Sequence, residues 1–496
     1  MIHYKRRKIP VDELSRVDTM AKRRRNRPRR VSSPKQQTQR RSHSSSYNAV
    51  ILVFALGVVL RLVVFIHMGY LNNDDHLEVI KYVAAHWLPA RADQFNQAYH
   101  PPLYYFLAAL SFSLGSIQAV HGVSLILSIA TLWLIARLLR RLPWMDKKNH
   151  PWCLALAAFH PQFIMFSLFI SNDTLAIFLG VLIFYQCVRV RETPSSLNIL
   201  LLGVWLGLGL LTKGVFLAFV APLTLFLGLT GWQRQLTYPQ LGGRIAGFLL
   251  IGTAIGCYKF VESYVVFGNP VISNLDLQNW TREQQPTWIG LRSLLDFNLL
   301  KLMQTPVISP STVHSYPLMI YGSFWYSLIP ESTFVSNLVS PLNRLGSIIY
   351  LLALCPTLLM LAGATRTGMA IVRFGFTAEI VPDAYRDRLI YEGTLLLIFL
   401  SNLSLVLAVG LRHDVWSVFQ GRLLFPSYFA FLLAFAGGME WINSSRLVTN
   451  AVRGLMIALI VVFVSYFIVE VWLAIVYPQD PLRTYHMPYT VDMNAR

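Results

Sequence analysis

Charge is scarce in this 496-residue sequence: 14% of its residues are Asp, Glu, Lys or Arg, against about 25% in an ordinary soluble domain. With 54% hydrophobic and 13% aromatic residues, that deficit excludes a water-facing globular surface and points to lipid as the solvent. Cysteine is nearly absent as well. Cys153, Cys187, Cys257 and Cys355 lie within or at the ends of apolar runs and lack metal-ligand spacing, so buried free thiols are expected and a disulfide framework is excluded. No Gly-rich phosphate loop or dinucleotide fingerprint occurs, which argues against a nucleotide or soluble nucleotide-sugar substrate. No cleaved signal peptide is expected either, because forty polar residues precede the first apolar run, far too many for an n-region.

What the chain does have is apolar runs of membrane length. A span needs roughly 20 apolar residues. Such runs fall near 48–68, 118–138, 151–170, 173–190, 197–212, 214–231, 245–265, 346–363, 392–411, 423–440 and 454–477. The sequence therefore predicts an all-α polytopic membrane protein with about 11 transmembrane helices. The formal net charge of +19 is concentrated before residue 42, in Lys5 to Lys8, Lys22 to Arg25, Arg27, Arg29-Arg30 and Arg40-Arg41. That placement predicts a disordered cytoplasmic tail over residues 1–47 and no nucleic-acid partner; its charge serves first to keep the N-terminus in the cytosol, with contact to anionic membrane lipids or a partner as the alternative.

With the tail inside, alternate loops carry the positive charge: Arg137 to Lys148, Arg189 and Arg191, Arg234 and Arg244, Arg366 to Arg388, and Arg446. The loops of the other parity are poor in Lys and Arg for their length. Residues 48–265 form one transmembrane module with a first outer loop at 69–117. Residues 266–345 form a second outer loop or lid, 346–477 the C-terminal spans, and 478–496 an outer tail. Within the first loop, Asp75–Trp87 and the stretch after Pro101-Pro102 read as interfacial helices with tyrosines at headgroup level.

Ionisable residues near membrane depth are functional candidates by default. Asp74-Asp75-His76 follows the first span: an acidic pair suited to general-base or metal work, or simply to capping a helix. Tyr99-His100-Pro101-Pro102 stiffens the chain around a histidine able to donate to phosphate or to shuttle a proton. Asp173 begins a helix after a minimal turn, where N-capping is the ordinary reading. Lys213 sits in a turn between uncharged spans, either snorkelling or meeting an anion. Arg422, preceded by Gln420-Gly421, opens a span on the outer side, against the positive-inside trend, and its guanidinium suits a phosphate. All of these fall on one side of the membrane. Acids for proton or metal work, together with His, Lys and Arg for an anion, suit group transfer from a lipid phosphate.

In this order the motifs resemble the polytopic glycosyltransferases of the GT-C fold. The protein O-mannosyltransferase and lipid A aminoarabinose transferase group (family 39) is most similar. The features that carry the resemblance are Asp74-Asp75, His100-Pro-Pro-Leu103, Pro161…Ser167…Asp173, Leu211-Thr-Lys213-Gly and Gly421-Arg422-Leu-Leu-Phe-Pro, and it covers residues 48–265. It implies a polyprenyl-phosphate sugar donor, an extracytoplasmic lipid, glycan or protein acceptor, and inversion at the anomeric carbon. It also implies Asp74 as general base, with Asp75 where the family usually has Glu. His100, Lys213 and Arg422 would then hold the donor phosphate, and His76, Asp173 and Gln420 would position substrate or a divalent metal. Tyr104-Tyr105 replace the Gly-Lys of the protein mannosyltransferases. The expected location is a multi-pass plasma (inner) membrane protein, if bacterial, with its N-terminus in the cytoplasm and its active site outside. The rival reading is a transporter or flippase of a lipid-linked or anionic substrate. Against it stand the absence of repeat symmetry between halves and charges at span ends instead of mid-span.

Overall fold

The computed structural model describes residues 34–69, 75–277, 290–306, 312–326, 336–376, 382–413, 418–442 and 445–476. Asp74, Trp280, Trp288 and Pro330 lie outside the described residues. The chain divides into two units, Met1–Asn48 and Ala49–Arg496, and the second carries the features that follow. Its regular elements are helical.

In chain order they are α1 (Pro34–Met68), α2 (His76–His86), α3 (Leu103–Leu114), α4 (Ile117–Arg140), α5 (His150–Phe159) and α6 (Pro161–Met165). Next come α7 (Asp173–Glu192), α8 (Ser196–Leu210), α9 (Leu217–Gln233), α10 (Tyr238–Gly256), α11 (Tyr258–Phe267) and α12 (Tyr316–Trp325). The last five are α13 (Ser336–Leu352), α14 (Leu354–Phe376), α15 (Asp383–His413), α16 (Tyr428–Ile442) and α17 (Arg446–Val476).

Among the described residues eight helices are long and apolar enough to cross a membrane, or nine if α10 and α11, bent by 60° at Cys257, count as one span. The expected eleven therefore exceeds this by two or three. The run at 197–212 forms α8, only 15 residues long. The run at 151–170 forms α5 and α6, of 10 and 5 residues, separated at His160.

That second break has a local cause. Pro161 has no N–H to give the carbonyl of Ala157, four residues back, and its ring opposes helix continuation. Arg61, fully buried in α1, supplies the missing donors. Its guanidinium donates to the carbonyls of Ala157 (3.2 Å) and Ala158 (2.8 Å), and also to Gly57 O (3.0 Å) and Ser128 Oγ (2.9 Å). A cation at the C-terminal end of α5 also matches the helix dipole.

Elsewhere, contact depends on small residues. A Cβ added to Gly363 of α14 would collide with the Ala434 carbonyl of α16, and one added to Gly438 would strike Leu359 O. Close helix approach through small residues is the usual way spans associate without a hydrophobic drive.

Side-chain contacts sort the loops into two ends. At one end Arg141 pairs with Glu192 (2.7 Å), Arg234 with Asp387 (3.4 Å), and Arg366 and Arg388 with Glu440 (3.1 and 3.4 Å). These are loops that the charge parity assigns to the inside. The first-loop elements differ from expectation. Tyr104 and Tyr105 are buried at 0% and 2% exposure, because α3 packs against both α2 and α4 instead of lying with its tyrosines at headgroup level. In the 266–345 stretch, read from sequence as a lid, eight of the ten residues of α12 are buried. This short helix packs against α6 and the 3-10 segment Gly421–Ser427. The four cysteines are free thiols, Cys153 and Cys187 buried and Cys257 and Cys355 half-buried.

Candidate active site

The end of the bundle opposite the ion pairs gathers the sequence candidates, and backbone chemistry explains how. Pro101 and Pro102 have no N–H, so Leu103 at the start of α3 is the first available donor. Its N–H, which has no intrahelical partner at a helix start, donates to Leu211 O at 3.0 Å. The next residue, Thr212, accepts through its carbonyl from Asn172 Nδ2 at 3.3 Å. The residue after that, Lys213, donates from Nζ to Asp173 Oδ1. Three consecutive residues thus stitch the 99–103, 171–173 and 211–213 turns together.

Asp173 is the first residue of α7, and its side chain is committed to Lys213, with Ser171 Oγ donating to Oδ2 at 3.4 Å. It is therefore not simply a cap. Lys213 does not snorkel: it is 7% exposed and Asp173 3%. Removing two charges from water in this way is expensive unless they stay paired.

His76 is buried at the start of α2. Its Nδ1 lies 2.8 Å from the Tyr105 hydroxyl, which itself donates to Gln97 O at 2.9 Å. Since that hydroxyl proton is already used, Nδ1 carries a hydrogen toward Tyr105. The His76 and His100 rings stack with centroids 5.8 Å apart. His100 is half-buried. Its pKa is held well below the usual histidine value, first by burial and then by the charges of Lys213, His76, Arg422 and Lys259. Arg422 and His76 also act electrostatically on Asp173.

Arg422 is held by its neighbours. The Gly421 N–H donates to Ser323 Oγ of α12 at 2.7 Å, and the Ser323 hydroxyl donates to Met319 O at 2.5 Å. A Cβ at Gly421 would collide with Ile320 O and Phe324, so only glycine allows this turn to seat on α12. Gln420 is buried beside it. Asp75 is exposed at the N-cap of α2 with φ 56° and no side-chain capping bond. Aspartate tolerates that left-handed conformation better than most residues. Asp74 lies outside the described residues. No three His, Cys, Asp or Glu side chains converge among those described.

Sequence reasoning missed Lys259. It sits just past the α10–α11 bend and is 4% exposed, donating to Ala90 O at 3.1 Å and pairing with Glu262 at 2.6 Å. Glu262 in turn accepts from the Ala92 N–H at 3.3 Å. The signal was present, since an ionisable residue inside an apolar run is a candidate by default. Ser323, the hydroxyl relay under Gly421, gave no such signal.

A cavity of about 200 Å³ joins these parts. His100, Lys213 and Lys259 line it together with Val215, Phe260, Val406 and Leu423. It offers cations at one place and hydrocarbon elsewhere, the two surfaces needed by an anion on an apolar chain.

Comparison with known proteins adds a family. Residues 99–255 match the family model of the dolichyl-phosphate-mannose-protein mannosyltransferases. No curated protein matches the chain. Among solved structures, the chain is similar to the S. cerevisiae protein O-mannosyltransferase Pmt1-Pmt2 complex bound to the sugar donor. That match has 16% identity and a TM-score of 0.33, and covers 46% of this chain and 34% of that one. It is also similar to ArnT from Cupriavidus metallidurans bound to undecaprenyl phosphate, at 14% identity and TM-score 0.37, covering 78% and 76%. A third similarity is to the apo oligosaccharyltransferase of Archaeoglobus fulgidus, at 13% identity and TM-score 0.43, covering 88% and 56%. The chain spans about a third of the yeast chain it matches, 34%. At TM-scores below 0.5 the assignment rests on the family match and not on these structures. The stretch that contains His100, Asp173 and Lys213 is therefore the part of the chain that is similar to the dolichyl-phosphate-mannose-protein mannosyltransferase family.

Proposed function

We propose that this protein transfers a sugar from a polyprenyl-phosphate donor to an acceptor hydroxyl on the outer side of the membrane, with inversion at the anomeric carbon. In this mechanism the acceptor oxygen attacks the anomeric carbon as the bond to the phosphate oxygen breaks. The electron pair leaves with the phosphate, and the acceptor proton goes to Asp74, with Asp75 beside it. His100, Lys213, Arg422 and Lys259 stabilise the charge gathering on the leaving phosphate, the kind of preorganised electrostatics that contributes most to many enzyme rates. Asp173 holds the Lys213 ammonium in place, and His76 orients the site through its stack on His100.

The single observation that carries this reading is the cavity in which His100, Lys213 and Lys259 meet apolar walls. A lipid phosphate has that same division of polarity. The charge parity of the loops supports a cytoplasmic N-terminus and a site facing the periplasm, exterior or lumen.

The test is transfer of radiolabelled sugar from a panel of polyprenyl-phosphate sugars by the purified protein in nanodiscs, beside Asp74→Asn. A positioned general base contributes about 10²–10⁴-fold. Transfer should fall by that factor while donor binding persists. Equal turnover in wild type and variant would remove Asp74 from the chemistry. No turnover with any donor, together with substrate-dependent flux in proteoliposomes, would replace the transferase by a transporter.

A further inference from the structure

A second cavity, of about 570 Å³, lies behind the first. The two share walls. In the 3-10 segment Gly421–Ser427, Leu423 lines the first cavity and Leu424 the second. Helix α15 likewise shows Leu405, Val406 and Val409 to the first, and Phe399, Leu403 and Leu407 to the second. Leu423 and Leu424 therefore form part of the partition, immediately after Arg422 in the chain.

Among the described residues no charged one lines the second cavity, and its polar groups are already engaged. Trp325 Nε1 donates to Thr357 Oγ1 at 2.9 Å, Thr357 Oγ1 to Ala353 O at 2.8 Å, and the Tyr321 hydroxyl to Tyr350 O at 2.6 Å. Nothing there asks for a headgroup or for water. The cavity includes Leu358 and Leu361 of α14, which are 60% and 51% exposed on a membrane-length helix. Its mouth thus opens sideways to bilayer hydrocarbon. Phe399, Leu403 and Leu407 are spaced i, i+4, i+8, so the cavity runs along α15 for about 12 Å at 1.5 Å per residue. Its upper end is roofed by Tyr316, stacked on Phe419 at 3.8 Å, next to Gln420 and Arg422.

We propose that this cavity seats a hydrocarbon chain of a membrane-embedded acceptor lipid, so that the acceptor hydroxyl is carried on a lipid head beside Arg422. A chain entering from the bilayer and running up the groove ends at the partition, across from the cationic cavity that holds the donor phosphate. A protein acceptor would have no use for a buried, lipid-open, uncharged slot at that place.

The inference rests on the transferase reading, so its test has an arm that needs no turnover. Purified protein in nanodiscs is photolabelled with a phospholipid carrying a diazirine in its acyl chain and, separately, with a polyprenyl phosphate carrying one in its tail. Peptide mapping should find the acyl probe on residues 399–407 and 354–361. Leu403→Trp, which fills the slot, and Leu361→Trp, which narrows its mouth, should each cut that labelling at least ten-fold. The polyprenyl probe should label the first cavity equally in all three proteins. In the second arm, radiolabelled sugar should enter the organic-solvent extract instead of the protein pellet, and both tryptophan variants should lower that transfer with slow hydrolysis of the donor unchanged. Acyl labelling equal in wild type and Leu403→Trp, polyprenyl probe in the second cavity, or sugar in the protein pellet would each overturn the proposal. Absence of both transfer and hydrolysis in the wild type, with acyl labelling still lost in Leu403→Trp, would fail the transferase reading and keep the chain-binding slot.

Discussion

Lys213 and Asp173 form a buried pair, and single and double substitutions at these positions separate folding from chemistry. Lys213→Met alone strands a carboxylate in the bundle, and breaking one side of a buried pair costs about 3–5 kcal/mol. Melting should fall accordingly. The double variant Lys213→Met with Asp173→Leu removes both charges and should recover most of that stability, because the two effects are coupled. Donor binding should not recover, since the phosphate has lost its ammonium. Recovery of both would make the pair purely structural. His100 gives a pH signature. Its pKa in the folded protein lies well below the ordinary value of about 6.5 expected when unfolded. Stability is therefore whole above that value and falls as pH drops through it, because the unfolded chain takes up the proton first. Thermal melting followed from pH 7.5 to 5 should decline less steeply in His100→Gln than in wild type. At pH 7 the neutral ring can give the phosphate one N–H, so His100 itself should place no rate inflection near 6.5.

At the scale of elements, the broken α5–α6 pair positions the turn that carries Ser171 and Asp173, and Arg61 holds that break. Leaving a buried carbonyl unpaired costs about 1–3 kcal/mol, so Arg61→Leu, which frees those of Ala157 and Ala158, should lower stability severely. Pro161→Ala restores an N–H that can reach Ala157 O, and it should rescue part of the loss in the double variant. Additive losses, measured by melting in detergent, would mean that Arg61 does not act through the break. The sequence could have exposed Arg61, as a charge inside an apolar run. Its partners could not be seen, because they lie 96 and 97 residues away and a carbonyl freed by proline leaves no mark on hydropathy. For the same reason the run at 151–170 looked like one span. What was legible were the turns: His100, Asp173 and Lys213 were found because charged or proline-rich turns interrupt apolar runs. The seating of Arg422 on Ser323 was not legible. It depends on a buried serine in α12, a helix whose 10 residues are too few to span.

At the scale of the whole molecule, the contacts divide the loops into the same two sets as the positive charges do. Arg141, Arg191, Arg234, Arg366 and Arg388 bond among the loops of one end, and the candidate site collects at the other. Which end faces the cytosol is then a matter of the positive-inside bias, which counts Lys and Arg in short loops near span ends. Single cysteines can read this directly. Asp93 lies in the exposed loop that packs near Lys259, and Gln235 in the exposed turn between α9 and α10. Neither is part of the phosphate cluster, so the substitutions should leave the fold intact, and the native thiols are buried or half-buried. In intact cells or right-side-out vesicles, a membrane-impermeant maleimide should label Asp93→Cys and spare Gln235→Cys until the membrane is opened. The reverse pattern would turn the protein over. It would also put the site on the cytosolic side, where the donor lipid would have to be used before it is flipped and the extracytoplasmic acceptor would be lost. Labelling of both positions in sealed membranes would break the two-ended division itself, and with it the assignment of α7 and α9 as full spans separating the 171–173 and 211–213 turns from the basic loops.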